Sequence, residues 1–214
     1  GVQTCALPIW IRNGNGCIVD YVDTLQSPAK VGVALDPDTT ITLGDSLILS
    51  AGALDAVGMT EFEWNSVLLE TLTCVDSPEC TMMLIKPYQT NSYIVKVTDE
   101  NGCKGQNLVK VTVNKPRGVY VPTGFSPNGD LNNDRLVVYG KGRQIRNVVA
   151  FNVFDRWGEL VYQDQNFQVN DDARGWDGSF RGKDCDPGVY VWYVEVEYLD
   201  GFREAWKGEV TLLR

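Results

Sequence analysis

The chain has 214 residues, a formal net charge of −9 and ordinary proportions of hydrophobic (43%) and charged (22%) residues, which fits one or two folded domains and excludes wholesale disorder. It contains no histidine, so Ser-His-Asp and Cys-His nucleophile systems, His-ligated zinc and histidine general bases are all ruled out. Acidic charge is spread over both halves, which repels phosphate backbones and argues against a nucleic-acid partner. No apolar run reaches the ~18–20 residues of a transmembrane segment.

In chain order, residues 1–9 are set aside. Gly1-Val-Gln-Thr-Cys-Ala-Leu-Pro-Ile9 has no initiator Met, no basic n-region and no cleavable apolar segment. It resembles a translated sequencing adapter, so it and Cys5 are expected to be non-native. Asn13-Gly-Asn-Gly-Cys17 and Asp99-Glu-Asn-Gly-Cys103 then repeat one short motif at a distance of about one immunoglobulin-like domain. Each leads into a β-rich run, Ile18–Val22 and Leu108–Val113. Residues 10–28 are therefore expected to be the last hairpin of an earlier β-repeat.

Residues 29–114 read as a complete β-domain. Val31–Leu35, Thr40–Leu43 and Ser46–Ser50 alternate between turns rich in Asp, Pro and Gly. Phe62 and Trp64 share one strand face, where a sandwich keeps its central Trp. Met82–Lys86, Tyr93–Thr98 and Val109–Val113 continue the pattern, with a positive-φ turn at Asn101-Gly102. This run resembles the PKD-like and Ig-like spacer repeats of large bacterial surface proteins. Asn114-Lys-Pro-Arg117 marks the expected boundary, because Pro cannot serve in a central strand.

In the last part, Val149, Phe151 and Val153 alternate into Asp155-Arg-Trp-Gly158, and Leu160-Val-Tyr162 returns after a tight turn. Val189–Tyr198 is the strongest strand, with Tyr190, Trp192, Val194, Val196 and Tyr198 on one face. Asp200-Gly201 turns the chain into a closing strand, Trp206–Leu213. The expected core is Phe151, Val153, Tyr190, Trp192, Val194 and Trp206. No ten-residue stretch has helical periodicity. The fold class is all-β, two tandem Ig-like β-sandwich domains.

Glu195 and Glu197 stand two apart on one strand face, as a glycosidase pair might; alternation reads them as an outward solvated face instead. Cys74-Val-Asp-Ser-Pro-Glu-Cys80 has comfortable spacing for a local disulfide in an oxidising compartment, with Cys103 as an alternative partner. Cys185 is expected to be a free thiol. Asn128, Asp130, Asn132 and Asp134 place oxygens at every second position, as in the first half of a calcium loop. Gly is missing at the sixth position and Tyr139 stands where a terminal Glu belongs, so this is no EF-hand. Its competing reading is a loop of Asx turns that satisfy their own backbone. Trp157 and Trp176 are candidate partner contacts, against the alternative that each is core.

Five separated blocks carry more information than any of these. They are Phe125-Ser-Pro-Asn-Gly-Asp-Leu-Asn-Asn-Asp134, Phe151-Asn-Val-Phe-Asp-Arg-Trp-Gly-Glu-Leu-Val-Tyr162, Trp176-Asp-Gly178, Pro187-Gly-Val-Tyr-Val-Trp-Tyr193 and Lys207-Gly-Glu-Val-Thr-Leu-Leu-Arg214. Their order and spacing over 118–214 resemble the gliding motility-associated C-terminal domain, the type B sorting signal of type IX secretion. The resemblance implies a non-enzymatic label at the end of a secreted or cell-surface protein, exported via the periplasm. Its implied partners are outer-membrane components of the secretion system and cargo domains upstream in the same polypeptide. No cofactor is implied beyond the calcium considered for the loop. The competing reading is a glycan-binding or adhesin-like tandem of sandwiches, using surface Trp and Tyr as stacking platforms.

Overall fold

In a computed structural model of the chain, the described residues are 4–12, 14–16, 18–26 and 30–214. They contain strands, turns and bends and no helix. Strands β1 (Thr4–Arg12) and β2 (Ile18–Gln26) pair antiparallel from Thr4 opposite Gln26 to Arg12 opposite Ile18. The hairpin thus reaches back to Thr4, into residues that the sequence reading set aside. Residues 1–3 and Cys17 lie outside the described residues.

Eight strands follow. They are β3 (Gly32–Leu35), β4 (Thr39–Thr42), β5 (Leu47–Leu54), β6 (Thr60–Ser66), β7 (Thr73–Cys74), β8 (Met82–Ile85), β9 (Asn91–Asp99) and β10 (Lys104–Asn114). They form two four-stranded sheets, ordered β3-β5-β8-β7 and β4-β10-β9-β6. The β9–β10 turn shows why Asp-x-Asn-Gly sits there. Gly102 takes φ +78°, and the Asp99 carboxylate accepts the Cys103 N–H at 2.8 Å.

The remaining strands are β11 (Val119–Tyr120), β12 (Gly124–Phe125), β13 (Tyr139–Gly140), β14 (Ile145–Phe154), β15 (Leu160–Asp164), β16 (Ser179–Phe180), β17 (Lys183–Asp184), β18 (Gly188–Tyr198) and β19 (Arg203–Leu212). Five of them make one sheet in the order β12-β19-β18-β14-β15, and two two-stranded sheets, β11-β13 and β16-β17, accompany it. Every expected strand of the last part is present, and the architecture is all-β.

The chain divides into two compact units. One holds the chain to Pro37 with Ile48–Leu84 and Ser92–Val109; the other holds Asp38–Leu47, Ile85–Asn91 and Lys110–Arg214. The boundary read at Asn114–Arg117 falls inside the second unit. In the first unit Leu49, Tyr93, Val95, Val97 and Val109 are essentially sealed from solvent. Trp64 packs on the same inner face, and its indole N–H donates to the Cys80 carbonyl at 2.8 Å.

The second unit's core is more aromatic. Phe125, Trp176, Tyr190, Tyr198 and Phe151 are buried with Val148, Val153, Val194 and Val196. Trp192 joins them opposite Gly208, where a Cβ would sit 2.5 Å from the indole; the glycine leaves the space that the ring fills. Trp206, expected in the core, packs against it only partly buried. Strand β14 departs from the expected phase. Its register slips between Ile145 and Asn147 and again between Val148 and Ala150, so two bulges turn Ile145, Val148, Phe151 and Val153 inward. Val149 is therefore not a core residue.

One contact within this unit fixes the segment that leads into β11. The Asp200 carboxylate in the β18–β19 turn is almost enclosed and takes both Lys115 (3.0 Å) and Arg117 (2.6 Å). The Arg117 guanidinium also lies over the Tyr198 and Phe202 rings, at 4.1 and 4.7 Å. These cations hold the Asp200 carboxyl far below the ordinary carboxylate range, the Arg117 hydrogen bond contributing most.

Candidate functional site

The outer face of the five-stranded sheet is segregated along its length. Near the Asp200 turn it carries charge: Glu197 pairs with Arg146 (3.1 Å) and Arg203 (2.7 Å). Glu195 approaches Arg203 at 4.0 Å. The two carboxylates are thus an ion-paired surface row opposite the buried Val194 and Val196, as strand alternation dictates.

At the far end the same face is apolar on β15, β14 and β18, with the exposed Glu209 of β19 opposite Val191. Phe154 lies opposite Val191 on β18 and Leu160 on β15, so the three form one row across adjacent strands. Val189, Val191 and Leu160 are 50%, 42% and 37% exposed. The β14–β15 turn lies just beyond this row and presents Trp157, 87% exposed. The turn is held from within. One Asp155 carboxylate oxygen accepts the Trp157 and Glu159 N–H groups, both at 2.8 Å, and Gly158 takes φ +83°. Arg181, at the tip of the β16–β17 hairpin, lies over Phe180 (4.6 Å) and reaches Glu159 at 3.8 Å.

Trp176 is the reverse case, and its candidacy as a partner contact is corrected. It is fully buried. Its ring packs on Phe125 and Tyr190 at 5.4 and 4.7 Å, and its N–H donates to the Ser179 carbonyl at 2.8 Å. A side chain so enclosed offers nothing to a partner.

In the acidic loop, Asp134 acts as a hub. Its carboxylate accepts the N–H groups of Asn128 (2.9 Å), Gly129 (2.8 Å) and Leu131 (2.8 Å). The Gly129 bond is the largest reason its carboxyl titrates below the ordinary value. Asn128 caps Asp130 N–H at 3.0 Å, and Asp130 caps Asn132 N–H at 2.8 Å. A calcium ion here would have to draw these oxygens away from their own backbone. No group of three or more His, Cys, Asp or Glu is placed to hold a metal among the described residues.

Cys74 and Cys80 are bonded to each other, while Cys103 and Cys185 are free. The loop they close is organised by Asp76, whose carboxylate accepts from Thr81 and from the Met82 N–H (2.9 Å). Cys185 is half-buried, and that burial pushes its thiol upward, toward the protonated form. Sequence reasoning missed the apolar end of the sheet, because Phe154, Leu160, Val189 and Val191 are neighbours only through strand pairing. The signal was present in Val189-Tyr-Val191, where β-branched residues flank an inward Tyr.

With this geometry in place, comparison with known proteins is decisive in one respect. Residues 119–212 match the family model of the CHU_C type IX secretion signal domain. Over these residues the chain is similar to that family. A secretion signal domain of this kind implies interaction with the type IX system and export to the cell surface or medium. Such domains, like Ig- and fibronectin-like folds, are typically non-enzymatic.

No curated protein matches the chain. Among solved structures, SGBP-B from the mixed-linkage glucan utilization locus of Bacteroides ovatus, in complex with a mixed-linkage heptasaccharide, shares 16% identity, covering 99% of this chain and 48% of that one with TM-score 0.33. A tetra-tandem repeat from the extending region of a large adhesion protein shares 12%, over 99% and 57%, with TM-score 0.32. Dimeric latent PorU from Porphyromonas gingivalis shares 13%, over 98% and 24%, with TM-score 0.29. The chain spans about half the length of the first of these. At such scores none adds to the assignment of the secretion signal domain. No helix among the described residues is long and apolar enough to cross a membrane.

Proposed function

We propose that residues 118–214 sort an upstream cargo of the same polypeptide through the type IX system, that 29–114 serve as a spacer, and that neither part is an enzyme. The observation that carries this reading is the extent of the family match, which takes in all five strands of the main C-terminal sheet. The charged chemistry points the same way. Glu195 and Glu197 are engaged in ion pairs, and the Cys185 thiol is held toward its protonated form, so neither is set up as a base or nucleophile.

The test fuses a fluorescent reporter ahead of the whole chain in a bacterium with a working type IX system. Reporter on the surface or in the medium, lost when the system is disabled, is the expected result. Residues 118–214 alone are expected to retain export. A folded protein appended after Arg214 is expected to impair it. Retention of the reporter in the periplasm, with binding of the purified chain to immobilised polysaccharide, would reject sorting in favour of a glycan-binding module. For the acidic loop, a melting shift with millimolar calcium separates an ion-binding loop from a self-capped one.

A further inference from the structure

We infer that the apolar end of the outer sheet face, centred on Trp157 with Phe154, Leu160, Val189 and Val191, is the surface by which a protein component of the type IX machinery grips this domain. The inference rests on the sorting role proposed above and adds the place of contact.

The patch is a built feature rather than scattered exposure. Leu160, Phe154 and Val191 stand in register on three neighbouring strands, and Val189 extends the row toward the sheet end on the same face of β18. Trp157 continues beyond them on a turn fixed by the Asp155 carboxylate. A large ring held ready on a rigid turn loses little freedom on binding, which makes it an effective anchor.

Two arguments choose the occupant. The tether occupies the opposite end of the unit, where Lys115 and Arg117 close on Asp200. Within this unit the apolar end is therefore remote from the segment that leads into β11, and a receptor can approach it there. Charge supplies the second argument. The exposed Arg156 stands next to Trp157, while Arg181 is paired with Glu159 and the exposed Glu209 lies opposite Val191. Arg156 is the cation beside the indole, and a receptor with an apolar cleft for the ring and a carboxylate at its rim complements it.

The experiment uses the reporter fused ahead of the whole chain, carrying Trp157→Ala, Val191→Lys, or Arg203→Ala at the charged end of the same face. Trp157→Ala and Val191→Lys are each expected to lower the exported fraction about tenfold, in line with loss of an interface hot spot. Melting of the purified chains should stay unchanged, Trp157→Phe should recover part of the export, and Arg203→Ala should export like the parent. Export of both patch variants at the parental level would overturn the contact surface while leaving sorting intact. Failure of the parent itself, in a host that exports its own cargo, would overturn the sorting reading and this inference with it. If the patch variants abolish self-association in sedimentation yet export normally, the face belongs to a second copy and the inference is wrong.

Discussion

The two compact units solve the same problem with different materials. The first has a core dominated by Leu49, Val95, Val97 and Val109, with Trp64 and Tyr93 as its buried aromatics among the described residues, and the Cys74–Cys80 bond closes one of its loops. The second has no disulfide among the described residues. It relies on an interlocked group of rings, Phe125, Trp176, Tyr190, Phe151 and Tyr198, and on the enclosed Asp200 carboxylate with its two cations. The difference teaches that exposure means different things in the two places. Around the first unit, Val67, Leu68 and Leu69 and the outward Ile48, Met82 and Leu84 are spread over loops and a sheet face. In the second, a rigid turn and a strand row gather exposed apolar side chains at one end, apart from the Glu195, Glu197 and Arg203 cluster.

The sharpest way to break the comparison is to remove an aromatic from the second unit. Trp176→Ala should cost about 3–5 kcal/mol and unfold that unit first; hydrogen exchange with peptide-level readout should show early loss of protection over 119–212 and retained protection over 60–84 and 92–99. Trp192→Ala should behave similarly. Uniform loss across both units would show that they do not melt separately.

Next comes the Asp200 contact. Arg117→Ala leaves the carboxylate with Lys115 and the Phe202 N–H and should cost about 1.5–3 kcal/mol, read as a fall in the denaturant midpoint without a change in slope. An effect within experimental scatter would show that Lys115 suffices. Breaking the disulfide by Cys74→Ser with Cys80→Ser should cost about 2 kcal/mol by loop-closure entropy, confined to the first unit. A reductant should reproduce that loss and leave the second unit's transition in place.

Acid should sort the units in the opposite sense. Asp134, Asp184 and Asp200 in the second unit, and Asp76 in the first, are held below the ordinary carboxylate value. A depressed folded-state pKa means that the unfolded chain takes up protons more readily. The stabilisation is therefore complete above about pH 4 and is lost as pH falls through the depressed values. Melting of the second unit should decline more steeply than that of the first below that point. Smallest of all, Trp157→Ala should move stability by no more than about 0.5 kcal/mol, the complement of its large expected effect on export.

Much of this was legible in the sequence, where a local rule decides the outcome. Strand β18 kept perfect alternation from Tyr190 to Tyr198, so its face was readable. The turns at Asp99–Gly102, Asp155–Gly158 and Asp200-Gly201 carried their own chemistry. In β14, Phe151 and Val153 were readable as core, and only Val149 was out of phase, because a bulge adds a residue without leaving any mark on composition. Trp176 was open to both readings because it follows a loop with no period, and its burial depends on Phe125 and Tyr190, far along the chain. Leu136, Val137 and Val138 are all buried in succession, a pattern that alternation does not predict. The Asp200 contact joins residues 83 positions apart, and no short-range signal announces it. Of the site, the acidic loop and Trp157 were found as residues; the row that gives Trp157 its surroundings required the strand register.

The Asp200 contact also has a mechanical meaning. A pull on the chain ahead of Lys115 does not fall first on β11, whose two residues pair only with β13 and would peel apart one bond at a time. It is carried through Lys115 and Arg117 to the β18–β19 turn, where the two strands run on in register from Glu197 opposite Arg203 to Gly188 opposite Leu212. Parting Lys115 and Arg117 from Asp200 must therefore precede the peeling of β11, so two ion pairs on one enclosed carboxylate act as the latch of this segment.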